Sequence, residues 1–299
     1  MFAAEGSAEH RGFGLSDAIS VAFLLVIPVV LWWLWKKDVI RPGSFERPDA
    51  RGRSVGSSPW SAWVLGAVGM FLAQDIAAAI GQLLAGVLDT SGASHEMTPR
   101  QQAVALLCGG SAGFLVGLPL LHFLGRAEWG RGAGLSIRPR GKDGVQGLKF
   151  LLLALPLVQG AGIAGALVSS LVTGQEPDEL THSTLRTIRE HPWSAASWGM
   201  IVAAVAMAPI AEEILFRVLI QSSLLRLTGS VWGSILTTSV GFAAVHLIGG
   251  AVEVQALPAL FVLGVGLGIA YERTGRVWVP IAMHMLFNAV NVAVTLGTS

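Results

Sequence analysis

The amino-acid sequence predicts an all-α, polytopic membrane protein with about eight transmembrane helices. Three observations predict it. First, 53% of the 299 residues are hydrophobic and 13% are charged, against roughly a quarter charged in soluble domains. Second, about eight stretches approach the roughly 20 apolar residues that a helix needs to cross a bilayer core. Third, Lys and Arg are rich in every other connection between those stretches, which is the pattern of a chain threading back and forth.

The expected spans run from Asp17 to Trp35, Trp60 to Leu88, Gln101 to Leu124, Gly147 to Thr173, Trp198 to Leu225, Val231 to Ile248, Ala256 to Tyr271 and Val277 to Leu296, the seventh being marginal in length. The first resembles a signal peptide only superficially. Glu5 and Glu9 precede it, Trp32, Trp33, Trp35, Lys36 and Lys37 end it, and no small-residue cleavage site follows, so it reads as a retained anchor. Asp17 is expected to cap it, and the tryptophans to form an interfacial belt.

Lys36, Lys37, Arg41, Arg47, Arg51 and Arg53 follow the first span, and Arg126, Arg131, Arg138, Arg140 and Lys142 follow the third. These connections, with Arg226, Arg273 and Arg276, belong in the cytoplasm. The others, holding Arg100 or mixing Arg186 and Arg189 with Glu176, Asp178, Glu179 and Glu190, belong outside. Both termini then face outward from an integral protein of the plasma (inner) membrane. The organisation expected is an extracytoplasmic tail (1–16), a variable part of four helices with basic loops (17–192), and a second half (193–299) carrying the chemistry. The polar linker Lys36 to Pro59 reads as a flexible loop.

With a net charge of +1, nothing points to nucleic acid, which needs a basic patch; the expected partner is the bilayer. The single cysteine, Cys108, permits no intrachain disulfide and reads as a small buried hydrophobe. Gly264, Gly266 and Gly268 follow no strand and open no helix. They read as a close-packing face rather than a phosphate loop. Gln74 and Asp75 read as interhelical hydrogen-bonders, His122 as reaching headgroups, and His10, His95, His182 and His191 as solvated.

Ionisable groups near the centre of a membrane helix cost at least ~2.5 kcal/mol each, so several in one part of the chain need an explanation. Pro209, Ile210, Ala211, Glu212, Glu213, Ile214, Leu215, Phe216 and Arg217 interrupt the fifth span; Phe242 and His246 lie on the sixth; His284 and Asn288 lie on the eighth. Adjacent glutamates sit about 100° apart on a helix, while Glu213 and Arg217 at i and i+4 can pair. One carboxylate is compensated and Glu212 is left free. Phe242 shares a face with His246, and His284 with Asn288.

These residues, in this order, resemble the three signature motifs of the CAAX prenyl protease and bacteriocin-processing (CPBP) family, the membrane endopeptidases related to Rce1-type CAAX proteases and bacterial Abi proteins. The resemblance covers about the last hundred residues. It implies an active site among the last four helices that hydrolyses a peptide bond in a peptide or membrane-protein substrate. Glu212 would be general base with His246 assisting, Glu213 and Arg217 a supporting pair, and Phe242 a substrate contact. His284 and Asn288 would donate to the oxyanion, at ~3 kcal/mol per donor. Two versions stay open: a metal-free, glutamate-dependent reaction, and a metalloprotease in which Glu212, His246 and His284 hold zinc. A different class, an ion- or proton-coupled transporter, could use the same buried Glu, Arg and His residues. Depth poses a problem for any shared site. Glu212 is expected roughly 20 Å below the outer start of its helix and His246 roughly 22 Å above the cytoplasmic start of the next, about 12 Å apart in a ~30 Å core.

Overall fold

The computed structural model describes residues 15–45, 53, 55–56, 58–87, 97–126, 139–174, 182–248 and 250–297. Among them are helices α1 (Leu15–Lys36), α2 (Trp60–Val87), α3 (Pro99–Arg126), α4 (Gly141–Thr173) and the short α5 (Ser183–Glu190). The second half holds α6 (Ala195–Thr228), α7 (Val231–Ile248), α8 (Leu257–Thr274) and α9 (Trp278–Gly297). The described residues contain no strand, only one antiparallel bridge between His182 and Val252.

Six of these helices are long and apolar enough to cross a membrane, and the apolar runs Ser20–Lys36 and Val231–Leu247 are shorter. The expected seventh span is adequate at 21 residues once the turn Val254–Ala256 is included. The first and sixth are the short ones. Pro28, Pro119 and Pro156 lie inside helices, which neighbouring membrane helices tolerate. Gly229 (φ 66°) and Gly275 (φ 62°) end α6 and α8. The left-handed conformation that stops a helix there carries a steric cost for any residue with a Cβ.

α2 and α3 form an antiparallel pair against one side of α6, while α4 packs on α8 and α9, and α7 on α8. The main core gathers Trp63, Met70, Leu151, Leu219, Phe242, Leu267, Tyr271 and Met283 around α6. The glycine face of α8 permits the close approach expected. A Cβ on Gly264 would press on Ser239 of α7, and one on Gly268 on Ile235.

The connections sort onto two faces as the charge pattern predicts. On one, Arg276 makes two bonds to Asp143 (2.6 and 2.7 Å) and Arg273 reaches the carbonyl of Asp38 (2.7 Å). On the other, Arg186 pairs with Glu253 and Thr187 with Gln102. Assigning the first face to the cytoplasm rests on the charge bias.

Several expectations are corrected. The linker after α1 is anchored rather than flexible in its described parts. Phe45 is buried edge-on to Trp232, and Arg53 enters the core to bond Glu272 (2.9 Å) and Ser222 (2.8 Å). A guanidinium beside an otherwise uncompensated buried carboxylate outweighs the mobility that a Gly, Pro and Ser-rich composition suggests. Gln74 bonds Met70 of its own helix, and Asp75 is exposed, so neither bridges helices. α1 begins at Leu15, so Asp17 lies in its first turn rather than at its cap. Cys108 is only half-buried, against Gly81. His182 is not solvated, as described below. His191 is exposed. His10, His95 and the tail 1–14 lie outside the described residues.

Candidate active site

The site forms where α6, α7 and α9 meet. α6 is 34 residues long, about 51 Å against a ~30 Å core, so its outer end is no measure of depth. Counted instead from the tight turn at Gly229 and Ser230, Glu212 lies about 26 Å up α6 and His246 about 24 Å up α7. The antiparallel hairpin sets the two level, which removes the expected 12 Å mismatch.

Two π-helical stretches, Ala203–Met207 and Ile214–Gln221, flank the segment Ala208–Glu213. Widened turns of this kind frequently mark functional sites. Here the first has a covalent cause. Pro209 has no N–H and its ring crowds the preceding turn. The N–H of Ala208 bonds the carbonyl of Ala203, five residues back.

Glu213 and Arg217 are fully buried and paired at 2.9 Å, one turn apart, as the spacing predicts. The other oxygen of Glu213 contacts Nδ1 of His284 at 3.1 Å. A carboxylate only accepts, so this nitrogen carries a proton. Nδ1 of His246 lies 2.7 Å from the carbonyl of Phe242, which likewise requires a proton there. With either ring neutral, Nε2 is then the acceptor, and both Nε2 atoms lie near one oxygen. Glu212 Oε2 is 3.9 Å from each.

Glu212 is 24% exposed, His246 15% and His284 4%, yet Oε2 itself is sealed and has no hydrogen-bond partner among the described residues. Three lone-pair-bearing atoms thus surround one point with no donor between them. A water about 2.8 Å from each would donate to two of them, and a further proton on one ring nitrogen would complete the set. Tetrahedral zinc would draw the same atoms to about 3.3 Å apart. As placed they are too far apart, and no cluster of three His, Cys, Asp or Glu among the described residues has metal-holding spacing.

Phe242 is corrected from the expected substrate contact. It is fully buried, with its ring against His246 (4.8 Å), edge-on to His284 (5.8 Å) and Phe216 (5.3 Å), and under the guanidinium of Arg217 (5.4 Å). It offers a substrate no surface and instead fixes both imidazoles. Asn288 is one turn beyond His284 as expected, but its Nδ2 donates to the carbonyl of Ala204 at 2.8 Å.

Sequence reasoning missed His182. It caps α5, accepting from the N–H of Thr184 at Nδ1 (3.3 Å). Its bridge partner Val252 and neighbouring Ala251 both donate to the carbonyl of His246. Burial first, and then the nearby His246, push its pKa down to about 4. No sequence signal marks it, because only the folded loop 250–253 brings it there.

Fold and site together define a class: a polytopic α-helical membrane protein with a buried Glu-His-His centre supported by a Glu–Arg pair. Residues 193–290 match the model of the type II CAAX prenyl endopeptidases, Rce1-like. The provisionally named membrane peptidase YdiL of Bacillus subtilis (strain 168) is 30% identical over 135 residues, covering 45% of this chain and 50% of that protein. The chain thus aligns with about half the length of this curated relative. No solved structure matches.

Proposed function

We propose that the chain is an intramembrane endopeptidase in which Glu212 activates a water held between its Oε2 and the Nε2 atoms of His246 and His284. The observation that carries this reading is the sealed, unpartnered oxygen of Glu212, equidistant at 3.9 Å from two imidazole nitrogens.

In the reaction, water gives one proton to Glu212 and directs its second hydrogen at Nε2 of His246. Its oxygen forms a bond to the carbonyl carbon, and the carbonyl electron pair moves onto oxygen. As the oxyanion forms, His284 takes a proton from solvent at Nε2, donates from Nδ1 to Glu213 and from Nε2 to this oxyanion, and gives that proton back when the oxyanion collapses. With Glu212 protonated and neutral, the oxyanion, Glu213, Arg217 and doubly protonated His284 then carry no net charge, the cheapest arrangement for buried ionisable groups. When the oxyanion collapses, the C–N bond breaks and Glu212 returns its proton to the departing amine. Proton transfer of this kind contributes typically 10²–10⁴-fold. No step uses a metal, and no serine or cysteine nucleophile is required. The substrate class that fits is a polypeptide segment presented within or against the bilayer, such as a lipidated CAAX-like tail or a peptide precursor of the bacteriocin type.

The test compares the membrane proteomes of cells expressing the native protein or Glu212→Gln. Polypeptides cleaved only with the native protein are expected. Identical proteomes, with both proteins folded and abundant, would overturn the reading and favour a transport role for the same cluster.

A further inference from the structure

The bond from Asn288 to Ala204 has a specific origin. Within an α-helix the carbonyl of Ala204 would accept from the N–H of Ala208, but that N–H bonds Ala203 instead. The next donor along the widened turn would be residue 209, and Pro209 has none. One backbone carbonyl is therefore left without a helical partner, inside an apolar span where an unsatisfied group costs several kcal/mol. The amide of Asn288 takes it at 2.8 Å. Because the carbonyl only accepts, the nitrogen and not the oxygen of Asn288 must face it.

We propose that Asn288 is a positioning residue that acts through α6. By closing the carbonyl that Pro209 strands, it holds the widened turn at Ala203–Met207 and so sets where Glu212, on the next stretch of the same helix, faces the two histidines. This rests on the hydrolase reading, but its structural half is independent of it. The same contact ties α9, which carries His284, to α6, which carries Glu212. Both ends of the 3.9 Å gap then depend on one side-chain bond. A misplacement of about 1 Å in such a site can cost about 100-fold in rate.

A second substitution should rescue the loss of Asn288. Pro209→Ala restores an N–H to the turn, so the carbonyl of Ala204 no longer depends on Asn288. Two readouts follow. In hydrogen exchange followed by mass spectrometry in detergent, Asn288→Ala accelerates exchange of the peptide spanning 204–213, and Pro209→Ala with Asn288→Ala returns it toward native. In cleavage of a polypeptide identified by the proteome comparison above, Asn288→Ala lowers kcat about 100-fold, and by less than about tenfold in the Pro209→Ala background.

If instead Asn288→Ala lowers kcat equally in both backgrounds and leaves exchange of α6 unchanged, Asn288 contacts the oxyanion directly and the proposal is overturned. Should Pro209→Ala not fold, Asn288→Leu reads the same contact. It nearly keeps the volume, carries no donor, and must accelerate exchange of 204–213; native exchange in this variant would equally overturn it. The exchange arm needs no substrate, so a failed hydrolase reading and a failed positioning role give different results.

Discussion

α6 carries two buried ionic clusters about two turns apart, and they are built differently. In the one nearer the α6–α7 turn, Glu272 receives Arg53 and Gln221, each at 2.9 Å on the same oxygen, and Arg53 also lies over the ring of Tyr271 at 4.3 Å. Both donors meet one oxygen of the carboxylate, while its other oxygen is buried without a partner among the described residues. In the other, Glu213 meets Arg217 at one oxygen and His284 at the other, but its neighbour Glu212 has no donor and lies 3.9 Å from the Nε2 atoms of two imidazoles. A carboxylate bonded by two donors is fixed in place, whereas one with no donor, across a water-sized gap from two imidazoles, has a lone pair free for a proton. Burial and charge alone do not tell these carboxylates apart; the donors that each one holds do.

The sharpest way to break this contrast is Glu212→Gln. The amide keeps the volume but cannot accept a proton, so cleavage should fall at least about 10³-fold with thermal stability unchanged; a drop in stability without loss of cleavage would reverse the two roles. Arg217→Ala comes next. It strands the fully buried Glu213, costing about 3–5 kcal/mol, and should lower the melting temperature and the activity together.

Arg53→Ala should destabilise comparably through Glu272, and adding Glu272→Gln should recover much of the loss, since the unpaired charge has gone. Per folded molecule, the double variant should cleave at close to the native rate. A large defect in kcat would show that the lower cluster also serves the reaction.

The smallest effect expected concerns pH. His182 titrates near 4 when folded, against about 6.5 when unfolded. Between these values the unfolded chain binds a proton that the folded one excludes, so stability falls as pH drops from 6.5 to 4. His182→Gln should flatten that part of the melting-temperature profile. An unchanged slope would mean that His182 is solvated after all. Separately, dialysis against a strong chelator should leave cleavage intact, because the 3.9 Å separations are wider than a tetrahedral zinc site requires.

Much of this was legible beforehand. Apolar runs located the helices, because a bilayer admits little else. The i, i+4 spacing paired Glu213 with Arg217, because helix geometry is local. The motif order picked out His246 and His284. Phe242 was misread because spacing shows which face a residue shares but not whether that face opens or closes. Arg53 and His182 were misread because polar loop residues look alike in sequence whether they meet water or a buried partner.

The sequence by itself determined the membrane class, the helical register and the residue types of the centre, since each follows from interactions within a few positions along the chain. Only the tertiary structure decided that Glu212 and His246 lie level, that Phe242 is enclosed, and that Asn288 answers the carbonyl Pro209 strands. Those depend on helix length beyond the bilayer, on a tight turn, and on contacts between α6 and α9 more than seventy residues apart. Distances across a fold are set by packing, and packing leaves no periodic trace in a single chain.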